Sequence, residues 1–476
     1  MEIMPWPGTR QHGPARIGPE SCDLRRRPDL EDRRGTGPPT AFSRLAAPRR
    51  AATVIGVDIA AFEGLLTPGG RALLGEVGAS DVSEQALLAT ASRLRAHHPP
   101  DLVGAALTQV RLRLRARAKF GAEADQMFFT PAGLEQATRA SVARHRARRF
   151  AAHLGAGQES MGSLAGSVLD LGCGIGGDLV ARGRAGCRGV GVDLDPLTAA
   201  VARANLGAFG LEDSASVRTG DATVQDPAGY AAVFADPGRR GARGRIFNPE
   251  AYEPSLTTVL GLAGAAPAGC VKVAPGIPHD VVPPGAEAEW ISDGGEVKEA
   301  ALWLGGLSGA RPGTTLRRAT LLREGTETAT MVADPELGPP PVAGWRRYLY
   351  EPDGAVVRAH LVAEVAATLD GALADPRIAY VTSDASRATP FARGYEIHEV
   401  LPFSVKRLRA ALRRHDAGTL TIKKRGFAAD IERLRRELRP SGSRECVVVL
   451  TRVGDAPVAL ICTALRHHLK AEDTPA

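Results

Sequence analysis

The sequence predicts an α/β protein centred on a doubly wound, mostly parallel sheet, and three observations carry that prediction. Residues 167–177, S-V-L-D-L-G-C-G-I-G-G, set a short apolar run against four glycines and then a helical D-L-V-A-R, the pattern of a strand turning sharply into a helix. Apolar runs at 168–171, 189–192, 231–235 and 270–273, with a weaker one at 216–219, alternate with helical or looped segments, which implies right-handed crossovers in a parallel sheet. Two last runs, 288–292 and 300–304, are joined only by D-G-G-E-V-K-E, too short for a crossover, so they read as an antiparallel hairpin.

The chain has 476 residues, enough for roughly two to four domains. Its 44% hydrophobic and 24% charged residues are ordinary for a globular protein with a sizeable core. A net charge of +7 and a pI of about 9.3 suit an anionic partner such as RNA, although an Ala-, Gly-, Pro- and Arg-rich composition gives the same balance without one. The six cysteines, Cys22, Cys173, Cys187, Cys270, Cys446 and Cys462, include no C-x-x-C and no close His/Cys grouping, so no metal site and no disulfide framework are expected. Without an apolar run of about 18 residues or a signal-peptide core, the expectation is a soluble, cytoplasmic protein.

Residues 1–50 mix Pro, Gly and Arg with acids and lack an apolar period; they are expected to be disordered or to precede the true start of translation. Residues 51–155 form a helical N-terminal domain. Phe62, Leu65 and Leu66, then Leu87, Leu88, Ala91 and Leu94, recur at helical spacing, and Thr130-Pro131 opens a helix running to Phe150 as its cap and first residue. That helix carries Arg139, Arg144, His145, Arg146, Arg148 and Arg149, either a solvated basic face or an RNA-facing arm. The strand–helix alternation occupies 156–333, and D-P-E-L-G-P-P-P-V-A-G at 334–344 reads as a linker. Residues 345–466 form a smaller α/β unit, with helices at 354–369, 404–415 and 429–438 and strands at 378–382, 395–401, 419–423, 446–451 and 456–463.

The glycine turn matches G-x-G-x-x-G, and Asp193 lies about 20 residues beyond Gly172, as a ribose-binding acid should. That much suits any adenosine ligand. Asp170, at the strand end, would repel a pyrophosphate but can pair with a cationic amino group, and the terminal hairpin does not belong to a simple dinucleotide fold.

On those residues, V-L-D-L-G-C-G-I-G-G followed by G-V-G-V-D-L-D resembles the nucleotide motif of the class I S-adenosylmethionine-dependent methyltransferases, whose Rossmann-like seven-stranded sheet ends in an antiparallel strand. The resemblance spans about 160–305. It implies S-adenosyl-L-methionine as cofactor, with Asp170, Gly172, Gly174 and Gly176 at the methionine end, Asp193 on the ribose hydroxyls and Asp221 near the adenine amino group. For Asp193 and Asp221 a helix cap is the competing role. The fourth strand ends in F-A-D-P-G-R-R, where enzymes methylating nucleobase amino groups typically carry D-P-P-Y or N-P-P-Y. This chain keeps Asp236 and Pro237, the expected catalytic pair, then places Gly238 and Arg239 where a proline and an aromatic belong. Arg239 and Arg240 either bind a substrate phosphate or are solvated turn residues. Cys270 reads as core, and Lys272 either reaches the pocket or sits on a polar strand edge.

The C-terminal unit resembles the THUMP-like domain of a set of bacterial methyltransferases, on Y-L-Y-E at 348–351, A-R-G-Y at 392–395 and T-I-K-K-R-G-F at 421–427. K-F at 119–120, F-F-T-P at 128–131 and G-L-E-Q-A-T at 133–138 resemble the helical region that precedes the catalytic domain in that set. Lys423, Lys424 and Arg425, with the basic residues of 406–414 and Phe427 for stacking, are expected to form one RNA-binding surface, or else a merely solvated one. The resulting expectation is a methyltransferase acting on RNA, with a small molecule or protein as alternative substrate and a non-catalytic RNA-binding protein as alternative function.

Overall fold

A computed structural model of the chain describes residues 58–155, 166–238, 240–241, 244–245 and 248–465, the side chains of 240–241 and 244–245 excepted; the expectation for 1–50 lies outside them. The N-terminal apolar spacing closes into helices α1 (Ile59–Leu66), α2 (Pro68–Gly78), α3 (Leu87–Arg95), α4 (Pro100–Phe120), α5 (Pro131–Gln136) and α6 (Ala140–Leu154). Phe62, Leu65, Leu94, Val103, Ala106 and Phe129 are buried together around α4, while Leu88 points to solvent. Thr130 caps α5, its hydroxyl accepting from Gly133 N at 2.9 Å. The single helix expected from Pro131 to Phe150 is two: Ala137 and Arg139 adopt extended ψ angles of 138° and 142°, which re-aims the chain so that α6 lies along the central sheet.

The central sheet contains β1 (Ser167–Leu171), β2 (Arg188–Asp193), β3 (Ala215–Thr219), β4 (Ala232–Ala235), β7 (Ala268–Val273), β8 (Glu287–Asp293), β9 (Glu296–Gly305), β10 (Leu316–Leu322) and β11 (Ala329–Val332). The omitted numbers belong to a separate two-stranded ribbon, β5 (Arg240–Gly241) and β6 (Gly244–Arg245). Helices α7 (Gly177–Arg184), α8 (Pro196–Ala208) and α9 (Leu256–Gly264) supply crossovers. The order is β11-β10-β8-β9-β7-β4-β1-β2-β3. The seven expected strands are all present, with β9 antiparallel to both neighbours. Beyond them β10 pairs parallel to β8 and β11 antiparallel to β10, two strands the sequence did not announce. Seven strands (β1, β2, β3, β4, β7, β8 and β10) therefore end at one edge, the edge where open α/β sheets bind ligands.

A second sheet is built from β12 (Tyr348–Pro352), β13 (Ala372–Asp375), β14 (Ile378–Ser383), β15 (Ala392–Pro402), β16 (Ala417–Lys424), β17 (Arg444–Val453) and β18 (Ala456–Ala464), in the order β13-β14-β12-β15-β18-β17-β16. Helices α10 (Gly354–Arg358) and α11 (Val362–Thr368) replace the one helix expected at 354–369, because His360 turns left-handed at φ 56°. Helices α12 (Val405–Arg414) and α13 (Ile431–Leu438) cover one face, packing Leu408, Leu412, Leu434 and Leu438 on Leu420 and Leu450. The two sheets share an apolar core: Ala355, Val356, Leu361 and Val365 belong to the same buried cluster as Ala288, Trp290, Ala319 and Leu321. Burial on that scale, at about 25 cal/mol per Å², holds the second sheet firmly against the first.

Candidate active site

The turn after β1 is made by residues with positive φ: Gly172 at 76°, Gly174 at 56° and Gly176 at 80°. A Cβ on Gly176 would meet Ala202 of α8 at 3.2 Å, whereas one on Gly174 would meet nothing within 4 Å, so the turn is tight on its helix side and open where a ligand would lie. That opening is a crevice of about 530 Å³, within the size range of small-molecule sites, lined by the turn, by α5 and the bend after it, and by the ends of β2 and β4.

Asp193 stands at the end of β2 in this crevice. Its carboxylate accepts from Gly174 N at 2.9 Å and Asp195 N at 3.0 Å, which fixes its direction and leaves lone pairs for a diol. Burial pushes its carboxyl up, against those two hydrogen bonds. The helix-capping role falls to Asp195, not Asp193. Asp221 lines the crevice and is also a cap: one oxygen accepts from Thr223 N at 2.8 Å and Thr223 Oγ1 at 2.7 Å.

Asp170 is placed differently from the expectation. Its side chain is fully buried beneath the turn, absent from the crevice lining, and paired with Arg182 of α7. Burial pushes its carboxyl up to about 6, with Arg182 pulling the other way. Because the cation it meets belongs to its own chain, Asp170 secures α7 under β1, and the argument that its charge selects a cationic ligand does not hold. The carboxylate that reaches the crevice from this region is Asp178, at the start of α7, which accepts from Arg146 of α6 at 2.6 Å. Burial raises the Asp178 carboxyl, but Arg146, Lys272 and Arg182 together hold it below the usual range.

At the end of β4, Asp236 opens onto the crevice with a quarter of its side chain exposed. Lys272 of β7, nearly buried, donates to Asp236 Oδ2 at 2.5 Å and to Thr138 Oγ1 at 2.9 Å. Lys272 does not itself line the crevice but holds two residues that do, and the bend between α5 and α6 is what brings Thr138 to it. Pro237 is buried behind the crevice rather than lining it. Gly238 exchanges backbone hydrogen bonds of 2.8 and 3.0 Å with Glu253, and this bridge carries Tyr252 into the crevice wall. Tyr252 is 3% exposed and its buried hydroxyl has no hydrogen-bond partner among the described residues. Thr138, Asp178 and Tyr252 were not singled out from the sequence: Asp178 reads there as an ordinary first-turn acid, and Tyr252 follows the D-P-G-R-R run through a long loop with no local signal.

Arg239 lies outside the described residues, and so does the side chain of Arg240. Cys270 is core, its thiol pushed by burial up to about 12. Lys423, Lys424 and Arg425 are not in the crevice, and they do not form one surface. Leu420 and Ile422 face the α12 side of β16, so Lys424 does too and donates to Ala429 O at 2.6 Å, while Lys423 and Arg425 face the opposite side. Phe427 packs edge-on against Phe403 at 4.7 Å rather than standing free. Among the described residues no group of three or more His, Cys, Asp or Glu is placed to hold a metal ion, and no helix is long and apolar enough to cross a membrane.

The crevice therefore suits an adenosine ligand on the chemistry of its donor set: a glycine turn open at Gly174, an oriented carboxylate at the end of β2 and a polar group at the end of the fourth strand. Comparison with known proteins agrees. Residues 392–464 match the family described as THUMP domain-like, and residues 58–116 match a domain of unknown function, DUF8688. The chain is 39% identical, over 352 residues, to an uncharacterized S-adenosylmethionine-dependent methyltransferase present in two strains of Mycobacterium tuberculosis, a match covering 72% of this chain and 91% of that protein. A crystal structure from Porphyromonas gingivalis, of a candidate methyltransferase 21% identical, superposes over 80% of this chain and 99% of that one with a TM-score of 0.62, which shows a shared fold. This chain belongs to the S-adenosylmethionine-dependent methyltransferases, with S-adenosyl-L-methionine as its cofactor and a THUMP-like segment in its C-terminal region.

Proposed function

We propose that this methyltransferase acts on a nucleobase of RNA, the C-terminal unit holding the strand and the crevice holding the target. The observation that carries the reading is that the sheet containing the THUMP-like segment is fixed to the catalytic sheet by a shared apolar core, which α10, α11 and strands β12 to β14 build from the C-terminal side. A strand held by one is held in register with the other, and positioning is most of what methyl transfer requires of a protein.

When bound, S-adenosyl-L-methionine supplies an electrophilic methyl group on a sulfonium. The glycine turn, Asp193, Asp221 and Asp178, which line one crevice, would hold it: Asp193 through the ribose hydroxyls, Asp221 through the adenine and Asp178 through the cationic amino acid end. Asp236 accepts a hydrogen bond from the acceptor group and aligns it. Lys272 fixes the Asp236 carboxylate, and Thr138 fixes Lys272. Tyr252, in the crevice wall, would supply the aromatic group missing after Asp236-Pro237.

The test is transfer of a radiolabelled methyl group to total RNA from a strain lacking the gene, followed by mass spectrometry of the nucleosides. Label is expected in one modified nucleoside that the mutant strain lacks. Asp236→Asn is expected to lower kcat by on the order of 100-fold with S-adenosyl-homocysteine affinity retained. Unlabelled RNA together with a full complement of modified nucleosides in the mutant strain refutes the reading.

A further inference from the structure

We propose that a cleft between the catalytic sheet edge and the C-terminal sheet is a seat for a backbone phosphate of the substrate strand. This deepens the reading above and rests on the substrate being RNA. The cleft, about 260 Å³, is lined among others by Gly295, Arg323, Glu351, Arg393, Lys423 and Arg425. Gly295 lies in the β8–β9 turn and Arg323 directly follows β10, so both stand at the edge of the central sheet that also holds the crevice. From the other side come Arg393 near the start of β15 and, from the end of β16, the two cations that strand alternation turns away from α12.

The charges in the cleft leave it ready for an anion. Glu351 is committed to Lys423 Nζ at 2.5 Å and to the Tyr395 hydroxyl at 3.2 Å. Asp353, also in the lining, accepts from the Ser292 hydroxyl at 3.1 Å and Ala355 N at 2.8 Å. Arg323 donates to Pro390 O at 2.8 Å and Arg425 to Ala379 O at 3.1 Å, contacts that hold each guanidinium in place while using a minority of its five N–H donors. Oriented guanidiniums with donors to spare bind phosphate oxygens in pairs.

Spacing sets the class of ligand. Four strand steps separate β4, which Asp236 directly follows, from β10, roughly 20 Å at the usual interstrand distance. A free nucleotide in the crevice does not reach that far; a single strand lying along the sheet edge does, a few nucleotides from its target base.

The experiment uses the full chain carrying Arg323→Gln and Arg393→Gln together, two exposed residues outside the crevice. The probes are a fluorescein-labelled oligouridylate of about 12 nucleotides, a length within single-strand site sizes, and total RNA as methyl acceptor. Kd for the oligomer is expected to rise on the order of 10-fold, and the slope of log K against log salt to flatten by about 1. KM for RNA should rise with kcat and S-adenosyl-homocysteine affinity unchanged. Wild-type affinity, slope and KM in the double variant overturn the phosphate seat and leave the RNA reading standing. A wild-type protein that neither binds the oligomer nor labels RNA overturns both.

Discussion

Helix α6 and the end of strand β16 carry cationic side chains at similar density, and the chain spends them in opposite ways. On α6, Arg146 pairs with Asp178 and with Glu299 of β9, Arg149 forks onto Glu287 of β8 at 2.7 and 2.6 Å, and His145 meets Glu289 at 2.8 Å. Those glutamates are at most 2% exposed and sit on the sheet face that α6 covers. The helix read as a solvated face or an RNA-facing arm is therefore mostly neither: its charges fasten the N-terminal helices to the catalytic sheet, and of its arginines only Arg144 and Arg148 are exposed. At the end of β16, Lys423 has one carboxylate partner, and Arg425 is tied to a carbonyl. A run of cations becomes a fastener where buried acids face it and keeps donors to spare where they do not; the run itself does not distinguish the two.

The sharpest way to break this comparison is Arg146→Ala. Removing one partner of a buried ion pair leaves its carboxylates uncompensated, so the loss in unfolding free energy should be about 3–5 kcal/mol. Arg148→Ala, two residues along on the exposed side, should stay within about 0.5 kcal/mol. Urea unfolding of both variants measures the difference, and equal midpoints would mean that α6 is not held by its charges.

Acid tests the same fastening more gently. Burial raises the Glu289 carboxyl, but His145, Thr320 and Arg149 outweigh it and hold the group at about 2, against 4.5 in the unfolded chain. A depressed carboxyl contributes stability above its unfolded value and loses it as pH falls toward its folded one. The window therefore runs from 4.5 down to about 2. Between about pH 5 and about pH 3, roughly 2 kcal/mol should disappear from wild type and not from Glu289→Gln, by the linkage of about 1.4 kcal/mol per unit.

What the sequence disclosed follows the same line between local and distant partners. Strands β1 to β4 and β7 to β9 were legible because each is a short apolar run closed by a turn. Strand β10, L-R-R-A-T-L-L, was not, because two arginines interrupt it and nothing local says that Arg318 answers Glu287 across the sheet at 2.5 Å. Nor was the break at His360, where neither Gly nor Pro marks the positive φ. In the crevice, the glycine turn and Asp193 were legible from spacing alone. The family followed correctly although one argument for it failed: Asp170 was expected to await a ligand, and its partner Arg182 returns from α7, a helical packing that strand-level reasoning does not register. Lys272 meets Thr138 from a separate segment and Tyr252 joins Thr138 in the crevice wall from a third, arrangements that only the folded sheet edge creates.

The smallest predicted effect draws the finest line. Lys423 and Lys424 are adjacent in sequence and alike in chemistry, yet alternation along β16 sends them to opposite faces. A strand bound in the cleft meets Lys423 and not Lys424. Lys423→Gln should weaken oligouridylate binding by about 3- to 10-fold, the worth of one phosphate contact at moderate salt, and Lys424→Gln by less than about 2-fold. The reverse ranking would put the strand on the α12 face. There Arg409 is tied to Glu437 O and Arg414 to Glu399 at 2.7 Å, so the exposed cations available to replace Lys423 would include Lys406, Arg407 and Arg413 of α12 and Arg436 of α13. Each ranking names a different face, which makes this one pair of substitutions sufficient to choose between them.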